Sequence, residues 1–275
     1  MKIISKITGG LGNQMFQYAC GKAVADRLKT KLYLDLSWFK AGNREFMLNN
    51  FPNIKYSLFA QANNPLLKLL LRYIQEPGLN YWQEIEDIKS SVHLSGYWQN
   101  EIYFSNIKNI IKQDFIFPEF SCAEANNVTN KINSSSCSVC IHIRRGDYIN
   151  NQATNQIHGV CLLDYYKEAL QIIANKCNEI PELFLFSDDP DWVKSNFDTQ
   201  GFNSNIINIP QHKDFPYHDM HLMSLCKNHI IANSTFSWWA AWLSTGDGIV
   251  VAPKRWFAED TIKQYNPSIP SWIII

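Results

Sequence analysis

Two adjacent arginines follow a short apolar run in the segment VCIHIRRGDY, which spans residues 139–148. A guanidinium is planar and permanently charged, and it binds phosphate or carboxylate through parallel hydrogen bonds. Neighbouring side chains on a strand point in opposite directions, so Arg144 and Arg145 are expected to have different partners, and His142 shares a side with Arg144. We expect one arginine to bind an anionic ligand and the other to be held by a carboxylate such as Asp147. Two surface arginines paired with Asp147 are the alternative.

A second site for an anion is predicted in NSTFSWW, residues 233–239. Asn233, Ser234 and Thr235 are residue types that begin helices well, and a helical pattern follows them. The free N–H groups and the dipole of a helix start attract phosphate, and the hydroxyls of Ser234, Thr235 and Ser237 would add donors. An ordinary capped helix that packs its tryptophans into the core is the alternative.

Two further polar motifs also follow predicted strands. GGLGN, residues 9–13, comes after the first strand, and Asp188 and Asp189 come directly after ELFLFS, residues 182–187. Ligands of parallel sheets bind beyond the carboxyl ends of the strands. Four such motifs therefore predict one ligand-binding cleft.

The elements that must position these motifs alternate between strand and helix. This alternation predicts an α/β protein in which helices cover both faces of parallel sheets. An Asn- and Ser-rich stretch at residues 120–138 suggests a domain boundary, so we predict domains 1–130 and 131–275. The predicted strands are KIISKIT, KLYLDLSWF, SVCIHI, ELFLFS, HIIAN and GIVVAP, and the predicted helices begin in QMFQYA, DYYKEA, DMHLMS and STFSWW.

Composition limits the classes of function. The 275 residues contain 25 basic and 25 acidic side chains, and this balance disfavours a nucleic-acid partner. No apolar run approaches the ~20 residues of a membrane span. The segment 66–74 is predicted as a core helix, with contact to a membrane surface as the alternative. Seven cysteines without regular spacing favour reduced thiols in a cytosol.

The motifs GGLGNQMFQYA, HIRRGDY, FSDD and NSTFSWWAAWL occur in an order and spacing that resemble the bacterial alpha-1,2-fucosyltransferases of glycosyltransferase family 11. The resemblance covers nearly the whole chain. It implies a GT-B-like fold, in which two Rossmann-like domains face each other across a cleft. It also implies inverting transfer of L-fucose from GDP-fucose to the 2-hydroxyl of a terminal galactose in a glycan, without a metal or other cofactor.

The resemblance further implies roles for the domains and for single residues. Domain 1–130 would bind the acceptor and domain 131–275 would bind GDP-fucose, at the cytosolic face of the membrane where surface polysaccharide is built. Arg144 would bind the diphosphate, and Asp147 is the first candidate for a general base, ahead of His158, Glu84 and Asp164. Related enzymes without a base leave that role open. The residues expected to bind the donor are Gly10, Gly12, Asn13, His142, Arg144, Arg145, Asp188, Asp189, Ser234, Thr235, Phe236 and Ser237.

Three other functions compete with this interpretation. Gly10 and Gly12 with Asp35 at the end of the next strand partly match a nicotinamide-binding motif, although Met15 stands where its third Gly or Ala belongs. Asp189 and Asp191 have a spacing that could hold a divalent cation on a nucleotide sugar, and the alternative is a capped turn in which Asp191 begins the next short helix. A sugar-binding module that uses its tryptophans would need no diphosphate site.

Overall fold

The computed structural model describes residues 1–42, 44–59, 71–146, 156–259, 262 and 264–275. The chain divides into two compact units, Met1–Pro118 and Glu119–Ile275, and each contains a parallel sheet. The sequence predicts this division after residue 130. The structure places the helix Ala123–Ser134 in the second unit, where it packs against the helix Tyr217–Leu225.

The N-terminal unit is built on a five-stranded sheet in the order β3-β2-β1-β5-β4, with every described pair of strands parallel. Its strands are β1 (Ile3–Lys6), β2 (Leu32–Asp35), β3 (Ser57–Leu58), β4 (Arg72–Gln75) and β5 (Val92–Ser95). Its α-helices are α1 (Leu11–Arg27) and α2 (Lys108–Asp114), and short 3-10 turns lie at Ser37–Ala41, Leu48–Asn50, Gln83–Asp87, Glu101–Tyr103 and Ser105–Ile107.

The predicted β–Gly turn–α–β opening is confirmed. Helix α1 lies directly on the sheet, because a Cβ on Gly21 would come within 2.9 Å of the Ser5 side chain. Met15 and Phe16 on this helix are fully buried. The second strand is shorter than predicted, since the chain leaves the sheet after Asp35 and turns at Ser37–Ala41.

The segment 66–74 was predicted as a helix, and the part of it that the structure describes is a strand. Arg72–Gln75 forms β4 at the edge of the sheet, and residues 66–70 lie outside the described ranges. Ile74 is the one buried residue of this strand, and Arg72, Tyr73 and Gln75 are exposed, in keeping with a strand at the edge of the sheet. None of the helices in the described ranges is both long and apolar enough to cross a membrane.

The C-terminal unit is built on a six-stranded parallel sheet in the order β11-β10-β9-β6-β7-β8. Its strands are β6 (Ser138–Ile143), β7 (Glu182–Ser187), β8 (Asn203–Ile207), β9 (Asn228–Ile230), β10 (Val250–Ala252) and β11 (Ile273–Ile274). Its α-helices are α3 (Ala123–Ser134), α4 (Leu163–Lys176), α5 (Pro190–Asn196), α6 (Tyr217–Leu225) and α7 (Thr235–Leu243), and a 3-10 turn lies at Pro210–His212.

Strands β6 and β7 occupy the middle of this sheet with the bounds that the sequence predicts. Every residue of β6 is buried, because helices cover both faces of a doubly wound sheet. Ile141 and Ile143 pack with Tyr166 and Ile173 of α4 in one core cluster. The sequence does not indicate β8 or β11, and the last strand that it predicts, GIVVAP, contains β10.

A buried hydrogen bond between side chains joins two strands of the N-terminal sheet that are not neighbours. Asp35 at the end of β2 reaches past β1 to His93 of β5, with 2.9 Å between Oδ2 and Nε2, and its Oδ1 accepts the Ser37 N–H. Burial raises the pKa of the Asp35 carboxyl, but the hydrogen bonds from His93 and Ser37 outweigh burial and lower the pKa to about 2. The ionised carboxylate of Asp35 therefore links β2 to β5 at the carboxyl edge of this sheet.

We expect Asp35→Asn to lower the free energy of unfolding by about 2 kcal/mol at pH 7, the usual worth of hydrogen bonds to a charged group. A lowered pKa stabilises the folded state above the unfolded value of 3.8, and the gain is lost as the pH falls through about 2. Urea denaturation measures the change. Asp87→Asn, at an exposed position, is the control, and equal effects of the two variants would contradict the role given to Asp35.

Candidate active site

Three of the four polar motifs lie side by side at one edge of the C-terminal sheet. The arginines follow β6, the aspartates follow β7, and residues 233–237 follow β9. These strands are adjacent and parallel in the order β9-β6-β7, so their carboxyl ends meet at the same edge. The fourth motif, GGLGN, belongs to the other unit. We call the edge formed by residues 142–146, 187–189 and 233–237 the RR–DD edge.

The strand register places each arginine opposite one aspartate. Ile143 pairs with Ser187, so the next residues, Arg144 and Asp188, leave the sheet together. Arg144 Nη1 lies 2.5 Å from Asp188 Oδ2, and the other carboxylate oxygen of Asp188 accepts the Arg145 N–H at 2.9 Å. Both side chains of this ion pair are about a quarter exposed, which leaves the pair within reach of a ligand.

Gly146 makes room for the Asp188 carboxylate. A Cβ at this position would lie 2.5 Å from Asp188 Oδ2 and 3.0 Å from its Cγ. Any side chain here would push the carboxylate away from Arg144. The glycine in RRG is thus required by close packing against the neighbouring motif.

Arg145 is held by different partners. Its guanidinium lies 3.4 Å from the centre of the Trp192 ring, and its Nε lies 3.5 Å from Asp189 Oδ2. Asp189 also begins helix α5, because its Oδ1 accepts the Trp192 N–H at 3.2 Å and Pro190 occupies the first turn. Arg145 therefore has a carboxylate partner and an aromatic face, as expected for a positioned cation. Its predicted partner, Asp147, lies outside the described residues.

The contacts of Asp189 argue against the alternative function, in which Asp189 and Asp191 hold a divalent cation. One oxygen of Asp189 caps α5 and the other faces Arg145. A cation bound there would have to compete with both contacts. The contacts favour a helix cap, and the cap is Asp189, whereas Asp191, the expected cap, lies in the first turn of α5.

His142 lies beneath the edge. Its ring is buried and packs against Phe236 at 5.8 Å, on the face of β6 opposite to the Ile141 and Ile143 core. Burial lowers the pKa of this imidazole, the positive charge of Arg144 lowers it further, and the nearby Asp188 only partly compensates, so that the pKa is about 4. His142 is therefore neutral at pH 7, and its place in the core favours a supporting role over the expected donor contact.

The start of helix α7 has the geometry that the sequence predicts. Ser234 is the N-cap, and its Oγ accepts the Phe236 N–H at 3.3 Å. Thr235 and Phe236 are partly exposed. Ser237 differs from expectation, because it is fully buried and its hydroxyl lies within 3.4 Å of the carbonyl oxygens of Ala232 and Ser234. We therefore assign Ser237 a structural role, in which its hydroxyl stabilises the turn before α7.

Asn233 has a role that residue type alone did not reveal. It is buried, and its Nδ2 donates toward the carbonyl oxygens of His158, Gly159 and Trp256 at 2.9–3.2 Å. Its Oδ1 accepts from the Cys161 thiol at 3.5 Å. Asn233 thus ties the β9–α7 turn to two other loops.

Among the weaker candidates for a base, His158 packs its ring against Phe257, while Glu84 and Asp164 are exposed.

The GGLGN loop is built around close backbone approaches. Gly9 has a positive φ of 75°, and a Cβ there would lie 2.9 Å from Asn13 Nδ2. Gly10 precedes α1 without a side-chain cap, and Gly12 is buried in its first turn. Asn13 Oδ1 accepts from Gln99 Nε2 at 3.0 Å.

Gln14, the residue after the GGLGN motif, stabilises the loop. It is fully buried, its Nε2 donates to the carbonyl oxygens of Gly9 and Glu45, and its Oε1 accepts the Met47 N–H. These three bonds use the side chain to fix the glycine turn. Gln14 is therefore a structural residue of the loop.

The structure argues against the nicotinamide-binding alternative, because Asp35 cannot serve as its ribose ligand. Asp35, the proposed ribose ligand, is 2% exposed and bonded to His93 and Ser37. A buried carboxylate with these partners is not available to a ribose hydroxyl. Two parallel α/β sheets and the RR–DD edge instead fit a glycosyltransferase of GT-B-like fold.

Known structures share this fold. The fucosyltransferase NodZ from Bradyrhizobium matches with a TM-score of 0.52 at 14% identity, over 87% of this chain and 91% of that one. A variant of FUT1 from Arabidopsis thaliana in complex with GDP matches with a TM-score of 0.54 at 12% identity, over 90% of this chain and 69% of that one. The fold is thus the GT-B-like α/β fold that the sequence predicted.

The chain belongs to glycosyl transferase family 11, whose family model matches residues 4–275. An alpha-1,2-colitosyltransferase of Escherichia coli is 34% identical over 99% of this chain and 98% of its own length. The O-antigen biosynthesis glycosyltransferase WbnK of Escherichia coli is also 34% identical, over 98% and 99%. Human galactoside alpha-(1,2)-fucosyltransferase 1 is 24% identical, over 96% and 72%. The resemblance stated from the motifs is confirmed at the level of the family.

We expect Asn233→Ala to destabilise the protein by about 2 kcal/mol or more, because it leaves buried carbonyl groups of two loops without their donor. Asn130→Ala, on the exposed side of α3, is the matched control and should change the free energy of unfolding by less than about 0.5 kcal/mol. Chemical denaturation followed by circular dichroism compares the two. Similar stability of the two variants would contradict the tie between the loops.

Proposed function

We propose that this glycosyltransferase moves L-fucose from GDP-fucose to the 2-hydroxyl of a terminal galactose in a glycan, with inversion at the sugar. The observation that carries the proposal is the placement of Arg144 at the RR–DD edge, beside the capped start of α7. A cation and a helix start at the carboxyl ends of adjacent parallel strands form a site for a nucleotide diphosphate. Family membership supplies the reaction class.

The geometry suggests how transfer is catalysed. When the bond between sugar and phosphate breaks, the sugar passes through an oxocarbenium-like state and negative charge grows on the leaving GDP. Arg144 and the N–H groups and hydroxyls near Ser234 and Thr235 would stabilise that charge more in the transition state than in the ground state. Arg145, Asp188 and Gly146 would keep the guanidinium of Arg144 in place.

Charge neutralisation by fixed cations makes a metal unnecessary in this mechanism. We therefore propose catalysis without a metal or other cofactor, with the nucleotide sugar as the donor substrate. The acceptor hydroxyl attacks from the face opposite to the leaving group, which inverts the anomeric centre. Asp147 remains our candidate for a general base that would take its proton.

A second candidate donor is GDP-colitose. Colitose is L-fucose without its 3-hydroxyl group, and the alpha-1,2-colitosyltransferase matches this chain over nearly its full length. Both sugars would leave the same GDP group at the same edge, so the RR–DD edge does not separate the two donors. The name of the O-antigen relative supports a product that belongs to a surface polysaccharide, made at the cytosolic face of the membrane.

The experiment that tests the proposal measures release of GDP from GDP-fucose and from GDP-colitose and, with UDP-galactose as a control donor, release of UDP, all with EDTA present. Each donor is tested with and without lactose as the acceptor. We expect lactose-dependent release of GDP from GDP-fucose that EDTA does not reduce. If GDP were released from GDP-colitose but not from GDP-fucose, the transferred sugar would be colitose rather than fucose. Loss of activity with EDTA would overturn the metal-independent mechanism.

Removal of the proposed diphosphate ligand should abolish most of the activity. A charge-assisted hydrogen bond is worth about 1.5–3 kcal/mol, and more when it strengthens in the transition state, so we expect Arg144→Ala to lower kcat/KM by about 100-fold or more. Arg144→Lys keeps the charge but loses the planar fork, and it should recover only part of the loss. Steady-state kinetics with lactose measures both variants.

Lys167→Ala, which removes an exposed cation from α4 of the same unit, is the control and should leave kcat/KM unchanged. Near-normal turnover in a folded Arg144→Ala variant would remove Arg144 from the mechanism. An equal loss in Lys167→Ala would point to a general effect of charge.

A further inference from the structure

A depression of about 400 Å³ lies in the N-terminal unit, at the carboxyl edge of its sheet. Its walls come from the ends of β1, β4 and β5 and from the turns that follow them. The volume falls within the ~300–1,000 Å³ that is usual for small-molecule sites. Ligands of parallel sheets bind at this edge, so its position is that of a ligand site.

Two aromatic side chains line the depression. Tyr97 is 46% exposed, and Trp38 is partly exposed with its ring edge-on to Phe39. Aromatic rings open to solvent beside a concavity suit the apolar C–H face of a sugar ring. Amide and hydroxyl groups of Gln75 and Thr8 lie in the same wall and could bond sugar hydroxyls.

The charges of the depression favour a neutral ligand. Lys6 supplies one cation and Glu76 one carboxylate. Both oxygens of Glu76 accept backbone N–H groups, from Tyr97 at 2.6 Å and from Trp98 at 3.0 Å. The site offers no cluster of cations for a phosphate group, in contrast to the RR–DD edge.

The turn that carries Tyr97 is held in an unusual conformation. Trp98 is fully buried and has a positive φ of 55°, which is rare for a bulky residue. Gly96 has no space for a side chain, since a Cβ would lie 2.6 Å from Glu76 Oε2. Strained backbone that neighbouring groups hold in place is typical of ligand sites. Glu76 is the group that fixes this turn and so sets the position of Tyr97.

We propose that this depression binds a pyranose ring of the acceptor glycan, with Tyr97 and Trp38 as its aromatic walls and Glu76 as a positioning residue. The inference rests on the proposed function for the idea of an acceptor, while the binding of a neutral sugar can be tested without turnover. Acceptor recognition would thus lie on residues of β4, β5 and the turn after β2.

The test uses lactose as the probe and measures its binding by saturation-transfer difference NMR, its KM in the transfer assay, and the Kd of GDP by calorimetry. We expect Tyr97→Ala and Trp38→Ala each to weaken lactose binding and raise its KM by about tenfold or more, as for an aromatic anchor, with the Kd of GDP unchanged. Tyr97→Phe keeps the ring and should recover affinity relative to Tyr97→Ala.

The matched control is Tyr73→Ala. Tyr73 is 56% exposed on β4 but does not line the depression, and its replacement should leave the KM for lactose within about twofold of the original. Glu76→Gln keeps the size of the side chain but presents an amide to two N–H groups. It should raise the KM for lactose much more than it lowers kcat, which a general loss of folded protein would not do.

The outcomes separate this inference from the proposed function. If the original protein transfers sugar to lactose but Tyr97→Ala and Trp38→Ala leave lactose binding and KM unchanged, the inference fails and the proposed function stands. If no donor is used but lactose binding depends on Tyr97 and Trp38, the proposed function fails and the sugar site stands. Absence of any lactose binding by the original protein would overturn the inference.

Discussion

The in-register pairing of two arginines with two aspartates across β6 and β7 is the contact on which the candidate site depends. Because the strands are parallel and Ile143 lies opposite Ser187, Arg144 and Asp188 leave the sheet at the same level. A guanidinium at the end of a strand would otherwise be a mobile surface group, and such groups contribute little. Here the neighbouring strand supplies a carboxylate at 2.5 Å, and the absence of a side chain at Gly146 lets that carboxylate approach. Catalysis by electrostatic stabilisation requires charges that are already in place before the reaction, and this pairing provides them.

Buried amide side chains hold the other two loops in place through hydrogen bonds to the backbone. Gln14 bonds the carbonyl group of Gly9 in the GGLGN turn and the backbone of Glu45 and Met47, and Asn233 bonds three carbonyl groups around the start of α7. Loops that expose backbone N–H groups to a ligand cannot satisfy their own polar groups by sheet or helix pairing. An amide offers both a donor and an acceptor without a net charge, so it can fix such a loop without weakening its attraction for an anion.

The sequence predicts the central elements well because their patterns are local. β6 and β7 are continuous apolar runs that end in charged residues, and both bounds agree with the structure. β8 is mostly polar and lies at a sheet edge, where one neighbour suffices, so its sequence lacks the apolar run of a central strand. The roles of Ser237 and His142 depend on which way a side chain points after the chain turns, and that direction is set by packing against Ala232 and Phe236. Residue type suggested a ligand contact at these positions, whereas tertiary packing placed them in the interior.

The RR–DD edge combines two cations with two carboxylates, and the carboxylates affect how tightly it would bind an anionic donor. Each carboxylate lowers the positive potential that a diphosphate would meet, so affinity for GDP would be lower than for a pair of isolated arginines. Asp188 contacts Arg144 at Nη1, and a guanidinium has five N–H donors in all, so a phosphate would share the cation with the carboxylate. A cation that is already fixed where charge develops on the leaving group stabilises the transition state more than the ground state. The carboxylates would thus weaken donor binding and, in the same contacts, hold the guanidinium in the position that catalysis requires.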